Sequence, residues 1–229
     1  MHPFVSSPKG GNRMSKRLIA LPVAIIAIAV FAPGIANAAS FNTAASIAIS
    51  STGKAFKGQV SSPAAKCKPN RHVTLKRKNP GGSSFVNIGT DTTSSTGAWS
   101  VNTNPIANAQ YVAVVSSRKA GNDTCKGVAS KVTTARKTTT TIVKGSNNFH
   151  GKLGSPSSAC LNNRKVNLQR KTIYQSSFST IGSDQSSTTG VWQVNTNPIS
   201  GASYRASVVA RQVGTATSCM AVLSAVRIA

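Results

Sequence analysis

One stretch of this 229-residue chain occurs twice. Residues 94–106 read SSTGAWSVNTNPI and residues 187–199 read STTGVWQVNTNPI, so ten of thirteen positions agree at an offset of 93. The agreement extends without a gap over residues 56–118 and 149–211, with 32 identities in 63 positions. This period exceeds that of solenoid repeats and approaches the size of a small domain. The sequence therefore predicts two repeats, residues 44–135 and 137–229, joined by a short linker at 136–139.

Comparison of the two copies indicates which side chains are buried. Tyr111, Ala113 and Val115 recur unchanged 93 positions later, whereas Val112 and Val114 are replaced there by Arg and Ser. One phase of the alternation is kept and the other varies, which is typical of a strand with one face in the core and one in water.

Short alternating segments of this kind follow one another through both repeats, separated by Gly, Pro, Asn and Ser. The predicted strands cover residues 45–50, 55–61, 71–78, 85–92, 98–103, 110–117 and 128–134 in repeat 1, and 139–144, 148–154, 165–170, 178–183, 191–196, 203–211 and 221–228 in repeat 2. Seven such strands per repeat predict an all-β protein of two tandem antiparallel β-sandwiches of Ig-like type.

The twice-written stretch fits this fold as a hairpin. Gly97 and Gly190 are expected to need a positive φ, and Trp99 is expected to point into the core. Pro105 lacks a backbone N–H and ends the ladder, and Ile106 is expected to close the end of the sandwich. An alternative is that this NTNPI loop is a recognition loop.

The N-terminal 38 residues have the layout of a secretory signal peptide. Four basic residues precede an apolar stretch at 18–32, and the small residues Ala36 and Ala38 flank Asn37 at a cleavage site. The apolar stretch is shorter than the ~20 residues of a spanning helix, so a membrane anchor is not expected. Either Met1 or Met14 could be the start of translation. The sequence predicts a secreted, extracellular protein.

Four cysteines lie in the predicted mature chain, two in each repeat: Cys67, Cys125, Cys160 and Cys219. Four cysteines allow three pairings. Because Cys67 matches Cys160 and Cys125 nearly matches Cys219, one bridge per repeat is expected, Cys67–Cys125 and Cys160–Cys219. The chain has no CxxC motif, so the sequence does not favour a redox or metal site at these cysteines.

Residues for catalysis are scarce. The chain has no Glu, three Asp and three His, and neither His72 nor His150 has a His at the equivalent position of the other repeat. Asp91 and Asp184 are shared, but they precede Ser/Thr loops and are expected to accept backbone hydrogen bonds in turns. The sequence predicts no enzyme, no metal site and no cofactor.

Positive charge dominates the composition of the predicted mature chain. Without the four basic residues of positions 1–38, it contains 23 Lys and Arg and three Asp, which gives a net charge of +20. Such a surface attracts anionic polymers, although positive charge could equally serve only solubility. The candidate anion-binding residues flank the first cysteine and the strand that follows it in each repeat: Lys66, Lys68, Arg71, Lys76, Arg77, Lys78, Arg164, Lys165, Arg170 and Lys171. Arg77 and Arg170 lie in the buried phase, where pairing with the shared Asp is an alternative.

Several short motifs carry a family resemblance. FKGQV at 56–60, VTL at 73–75, TSSTGAWSV at 93–101 and YVAVV at 111–115, with FHGKL, VNL, TGVWQV and YRASV in repeat 2, resemble the carboxypeptidase regulatory-like and transthyretin-like superfamily of secreted β-sandwiches. The resemblance implies an accessory or binding module without catalysis. The family's acidic residue before the Gly is replaced here by Ser and Thr, and the cysteine pair is an addition. Collagen-adhesin relatives form Lys–Asn crosslinks commonly assisted by Glu, which this chain lacks.

These observations lead to one functional expectation and one alternative. We expect a non-catalytic secreted interaction or structural module, of a tandem actinobacterial type, that binds an anionic cell-envelope or extracellular polymer. The alternative is a secreted effector or inhibitor that binds another protein through the loops at Pro105 and Pro198. Specific nucleic-acid binding is not expected, because the Trp and Tyr residues that could stack on bases are predicted to be buried.

Overall fold

A computed structural model describes residues 38–229. The predicted signal peptide up to residue 37 lies outside the described residues. The described chain is built from strands and two single-turn 3₁₀ segments, Ala65–Cys67 and Ser158–Cys160, and no α-helix occurs in residues 38–229. This agrees with the predicted all-β class.

The strands of the first half begin at Ser40 and end at Arg136. They are β1 (Ser40–Phe41), β2 (Ala44–Ala45), β3 (Ala48–Ile49), β4 (Phe56–Ser61), β5 (His72–Lys78), β6 (Val86–Thr92), β7 (Ala98–Val101), β8 (Gln110–Val115), β9 (Arg118–Ala120), β10 (Asp123–Cys125), β11 (Val128–Ala129) and β12 (Thr133–Arg136).

The second half repeats this order. Its strands are β13 (Thr139–Thr140), β14 (Val143–Lys144), β15 (Asn148–Gly154), β16 (Lys165–Lys171), β17 (Ser179–Gln185), β18 (Val191–Asn195), β19 (Ser203–Val208), β20 (Arg211–Val213), β21 (Thr217–Cys219), β22 (Val222–Leu223) and β23 (Arg227–Ile228).

Each repeat contains two sheets around one core. In repeat 1, β4 pairs with β2, β3 and β7, while β5 lies between β6 and β8. In repeat 2, β15 pairs with β13, β14 and β18, while β16 lies between β17 and β19. The two cores are separate clusters. In each, a Phe ring packs against a Tyr ring with the ring centres 4.2 Å apart: Phe56 with Tyr111, and Phe149 with Tyr204.

The repeats meet through a shared strand. β12 pairs antiparallel with β8 of repeat 1 and parallel with β21 of repeat 2, so one sheet runs β20-β21-β12-β8-β5-β6 across both. The sequence suggested residues 136–139 as a linker. The two ends of this segment instead belong to strands, since Arg136 of β12 pairs with Cys219 and Thr139 of β13 pairs with Gly154. Ala210 and Met220 of repeat 2 also pack against the core of repeat 1.

Most predicted strands are found within two residues of their expected ends. The first and last predicted strands of each repeat are split in two. The sequence did not predict β1, which runs parallel to β10, or the hairpins β9–β10 and β20–β21. Gly97 and Gly190 have φ of +91° and +83°, as expected. Trp99 is buried, but Ile106 is 41% exposed and does not close the end of the sandwich.

The expected disulfides are both present. Cys67 is bonded to Cys125 and Cys160 to Cys219, with Cα–Cα separations of 5.4 Å. Such bridges persist in oxidising, extracellular compartments.

Candidate functional site

The ten candidate anion-binding residues do not form one surface. Arg71 and Arg164 are fully buried, so they are removed from the set that can meet a polymer. Their burial follows from hydrogen bonding, because each guanidinium fills a ring of backbone carbonyls. Nη1 of Arg71 donates to Cys67 O at 3.0 Å, and Nη2 donates to Ser116 O and Lys126 O at 2.7 and 2.8 Å.

Arg164 repeats this arrangement in the second copy. Its Nη1 donates to Cys160 O at 3.0 Å, and its Nη2 donates to Val209 O and Met220 O at 2.7 and 3.0 Å. Burial, with a smaller contribution from the neighbouring Arg211, lowers the pKa of Arg164 to about 10. These two arginines join the cysteine loop to the ends of the adjacent strands, which is a structural role.

Arg77 and Arg170 are half-buried at the ends of β5 and β16. They lie across from Tyr111 and Tyr204 in the neighbouring strands. They do not pair with the shared aspartates.

The shared aspartates instead bind backbone. The carboxylate of Asp91 accepts from the N–H groups of Thr92 and Ser100 at 2.8 and 2.6 Å. Asp184 accepts from Gln185 and Gln193, both at 2.7 Å. Each accepts backbone hydrogen bonds, as the sequence suggested, but it joins the end of one strand to the following strand rather than acting within a turn alone.

The residues near the first cysteine are also divided. Lys66 forms an ion pair with Asp123 and lies 5.7 Å from the ring centre of Phe41. Lys68 is half-buried, and Lys165 is exposed at the start of β16. The candidate anion-binding residues beside the first cysteine therefore offer less free positive charge than expected, because Asp123 neutralises Lys66.

The last three candidates, Lys76, Lys78 and Lys171, lie on the sheet of β5, β6 and β8 in repeat 1 and on the sheet of β16, β17 and β19 in repeat 2. In repeat 1, Lys76 and Lys78 share the outward phase of β5, and Lys78 Nζ lies 5.9 Å from the ring centre of Phe85. We call Lys76, Lys78 and Phe85 the repeat-1 patch.

Repeat 2 has a denser counterpart. Arg205 and Lys171 lie 4.1 and 5.7 Å from the ring centre of Phe178. The loop between β16 and β17 exposes Tyr174 by 92% and Ile173 by 75%. We call Lys171, Tyr174, Phe178 and Arg205 the repeat-2 patch.

Sequence reasoning missed most of the repeat-2 patch. Arg205 was visible as an outward residue in the alternation of β19, but nothing linked it to Phe178, which lies in the loop before β17. Tyr174 was assumed to be buried with the other aromatic residues, although it lies in a loop where no alternation applies.

A cleft of about 930 Å³ opens beside Trp99, between β4 and β7 of repeat 1 and the turn at Gly214 of repeat 2. Its walls are mainly apolar, and Lys57 and Lys131 are exposed among its lining residues. Gln212, Gly214 and Thr215 of repeat 2 complete the lining of this cleft, and its other lining residues belong to repeat 1.

Titratable side chains are dispersed in the described part of the chain. Residues 38–229 contain no group of three or more His, Cys, Asp and Glu close enough to hold a metal ion. His72 is exposed, and Nδ1 of His150 lies 3.2 Å from the side-chain oxygen of Asn148. Within residues 38–229, no helix is long and apolar enough to cross a membrane.

Comparison with known proteins finds similarity in structure but not in sequence. No protein-family model matches the sequence, and no characterised protein sequence matches it either. The chain is similar to the crystal structure of chicken CNTN1 FN1–FN3 domains, at 11% sequence identity and a TM-score of 0.34, over 83% of this chain and 68% of that one.

Proposed function

We propose that this protein is a non-catalytic secreted module that binds an anionic cell-envelope or extracellular polymer through its repeat-1 and repeat-2 patches. The resemblance of its motifs to carboxypeptidase regulatory-like modules is consistent with a binding role. The two disulfides fit an extracellular location.

The observation that carries the proposal is the imbalance between cations and carboxylates. All three Asp side chains are already engaged: Asp91 and Asp184 by backbone N–H groups, and Asp123 by Lys66 and Ala39. Among residues 38–229, the Lys66–Asp123 contact is the single salt bridge. The Lys and Arg side chains of both patches therefore lack an internal counter-ion, and an external polyanion would supply it.

The patches also suit an extended ligand. Each includes residues of an antiparallel sheet, where outward side chains recur at every second residue, about 7 Å apart along a strand. Lys76 and Lys78 follow this spacing on β5. In repeat 2 the exposed Tyr174 and the partly exposed Phe178 add apolar faces on which a sugar ring could pack.

The alternative partner, another protein bound at the Pro105 and Pro198 loops, has one observation in its favour. Ile106 and Ile199 are 41% and 45% exposed there. The N–H groups of these residues donate to the hydroxyls of Tyr111 and Tyr204 at 2.7 and 2.9 Å, so both loops are held in place. This tether explains the retention of the loop in both repeats without a partner.

Binding across a salt series tests the proposal. The probes are a polyuronate and a poly(glycerol phosphate), measured by isothermal titration at several salt concentrations. Because each neutralised charge releases counter-ions, log K should fall linearly with log salt. Replacing Lys171 and Arg205 by Ser, or Lys76 and Lys78 by Ser, should weaken binding and lower the slope by roughly one to two.

A charge-matched control replaces Lys54 and Lys137, which are exposed outside both patches, by Ser. It should bind nearly as the wild type does. If the control and the patch variants lost binding affinity equally, the effect would come from net charge and not from the patches. Absence of binding to both probes at low salt would leave the polymer proposal without support.

A further inference from the structure

Two hairpin loops occupy equivalent places in the repeats and have the same base. Residues 79–85 join β5 to β6, and residues 172–178 join β16 to β17. Both loops follow a Lys and end in Ser-Ser-Phe. In each, the Lys Nζ lies close to the centre of the Phe ring, at 5.9 Å in repeat 1 and 5.7 Å in repeat 2. The loops therefore differ only in the four residues between these shared ends.

Those four residues form a turn in both repeats. The N–H of Gly82 donates to Asn79 O at 2.9 Å, and the N–H of Gln175 donates to Thr172 O at 3.1 Å. The side-chain oxygen of Gln175 also accepts from the N–H of Thr172 at 3.0 Å, so the turn of repeat 2 is held by two hydrogen bonds. The two central residues stand at the tip of each hairpin: Pro80 and Gly81 in repeat 1, and Ile173 and Tyr174 in repeat 2.

The tip of repeat 1 suits a turn, whereas the tip of repeat 2 does not. Pro presets the backbone for the second position of a turn, and Gly81 takes a φ of +76° without steric cost. Ile and Tyr have neither property. They do not serve packing either, because Ile173 and Tyr174 are 75% and 92% exposed. We call Ile173 and Tyr174 the apolar tip, which neither turn chemistry nor the core explains.

The same end of repeat 2 exposes a third large apolar side chain. Lys171 pairs with Ser203, and Ser203 pairs with Ile228, so the three lie in one row across the sheet. Ile228 is 74% exposed, and with the apolar tip it completes the three most exposed large apolar side chains of residues 38–229. Arg227 is exposed beside it and offsets the carboxyl group that ends the sequence at Ala229.

The base of the loop carries positive charge. Lys171 and Arg205 both lie against the ring of Phe178. The one Asp of repeat 2, Asp184, pairs with Val166, which lies five positions from Lys171 along β16, or about 17 Å. Its carboxylate is also engaged by backbone N–H groups. The apolar tip therefore projects beyond cations that no Asp neutralises.

We infer that the apolar tip docks repeat 2 onto an anionic phospholipid bilayer. Going inward from water, a bilayer presents phosphates first and acyl chains below them, which is the order of the cations and the apolar residues at this end. Ile173 and Tyr174 enter the interface, where Tyr is a preferred residue, and Lys171 and Arg205 lie at the phosphates. Two apolar residues alone would hold weakly, so the contact needs both signals and is reversible.

This contact shares Lys171 and Arg205 with the proposed polymer site but depends on the apolar tip. A soluble polyanion has no apolar interior, so a change confined to the tip separates the two. Repeat 1 supplies the natural form of that change, because its loop has the same length and base and carries Pro80 and Gly81 at the tip.

Co-sedimentation with vesicles tests the inference. The wild type should bind vesicles of phosphatidylglycerol and phosphatidylcholine at least about tenfold more tightly than vesicles of phosphatidylcholine alone. The variant with Ile173→Pro and Tyr174→Gly should lose roughly tenfold or more of its affinity for the mixed vesicles. Its affinity for poly(glycerol phosphate) should not change, because every cation remains.

A fluorescent residue at the tip reports insertion directly. The two native Trp side chains are 3% and 1% exposed, so they contribute little change on binding. The emission of Tyr174→Trp should move to shorter wavelength with mixed vesicles and should be quenched by brominated acyl chains. Binding through the cations alone would leave this emission as it is in water.

A matched control removes two exposed apolar side chains from elsewhere in repeat 2, as Val191→Ser and Leu223→Ser. It should bind vesicles as the wild type does, and thermal melting checks that every variant is folded. A selective loss in the tip variant, with quenching of the tip Trp, supports the inference. Equal binding by the tip variant, an equal loss in the control, a loss of polymer affinity in the tip variant, or no binding of the wild type to either vesicle overturns it.

Discussion

The backbone N–H of Ala39 donates to a carboxylate oxygen of Asp123 over 2.7 Å. Lys66 binds the other oxygen, and together these contacts hold β1 against β10. Repeat 2 has no acidic residue at the position of Asp123, because there the incoming strand is β12 and its chain is continuous. The predicted cleavage after Ala38 would place the new α-ammonium group of Ala39 at this carboxylate.

The first prediction concerns this contact. The hydrogen bonds from Lys66 and Ala39 lower the pKa of Asp123 below its ordinary value of 3.8. The stabilisation is therefore present above that ordinary value and is lost as the pH falls through the lower folded pKa. Asp123→Asn should speed hydrogen exchange of Thr124 and Lys126, whose N–H groups donate to β1 and its flanking residue.

Exchange rates measured between pH 3 and 6 check this prediction. The difference between the wild type and Asp123→Asn should shrink as the carboxylate becomes protonated. Lys66→Gln serves as the control, because it keeps the contact with Ala39 and should have a smaller effect. Identical exchange in all three proteins at pH 6 would contradict the assignment.

The second prediction concerns Arg164. Arg164→Met removes a guanidinium that satisfies the carbonyls of Cys160, Val209 and Met220. Losing a charged donor and leaving buried carbonyls unpaired should lower the free energy of unfolding by roughly 3 kcal/mol or more. Urea denaturation measures this change. Lys165→Met, at an exposed neighbour, should change it by less than about 0.5 kcal/mol.

The third prediction concerns the close packing of Gly58 against Trp99. These residues are directly opposite in β4 and β7, and a Cβ at position 58 would lie 2.0 Å from Ser46 O and 2.6 Å from the indole ring. Gly58→Ala should therefore destabilise the protein by about 1–3 kcal/mol. Gly81→Asn is the control, because a Cβ at position 81 would have no neighbouring atom within 4 Å, and it should be tolerated. Near-UV circular dichroism and thermal melting report both, and an unchanged Trp signal in Gly58→Ala would count against the packing.

The fourth prediction uses the disulfide of repeat 2. Replacing Cys160 and Cys219 by Ser removes a bridge between residues separated by 59 positions. The loss should cost about 2–5 kcal/mol. Because β12 belongs to both repeats, unfolding should remain one cooperative transition with a lower midpoint. Two separate transitions, with that of repeat 1 unchanged, would show that the shared strand does not couple the repeats.

The sequence predicted the strand order of each repeat because internal duplication separates conserved from varying positions. Tyr111 and Val115 are buried as this alternation predicts, and Arg205 is half-buried, but Val112, which was expected to face water, is buried as well. It also determined the disulfide pairing, since one bridge per repeat satisfies the symmetry. The positive φ of Gly97 followed from local turn chemistry.

The candidate site was less predictable, because its members come from different strands and from the loop between β16 and β17. Phe178 meets Arg205 across the outer face of one sheet, and no spacing along the chain indicates this contact. Arg71 looked like a surface cation, but the carbonyls that surround it come from positions 67, 116 and 126. Whether a Lys or Arg faces water or carbonyl oxygens depends on which segments surround it after folding.

The sequence by itself determined that this protein is two copies of a disulfide-bonded β unit with a strong excess of positive charge. Duplication, alternation and composition are properties of the chain, and they are complete before it folds. Only the tertiary structure decided that β12 serves both repeats and that Thr133 meets Gln212 and Ser218 across their contact. Those contacts join residues about 80 positions apart, and a local pattern carries no information on which distant backbone will complete a strand's hydrogen bonds.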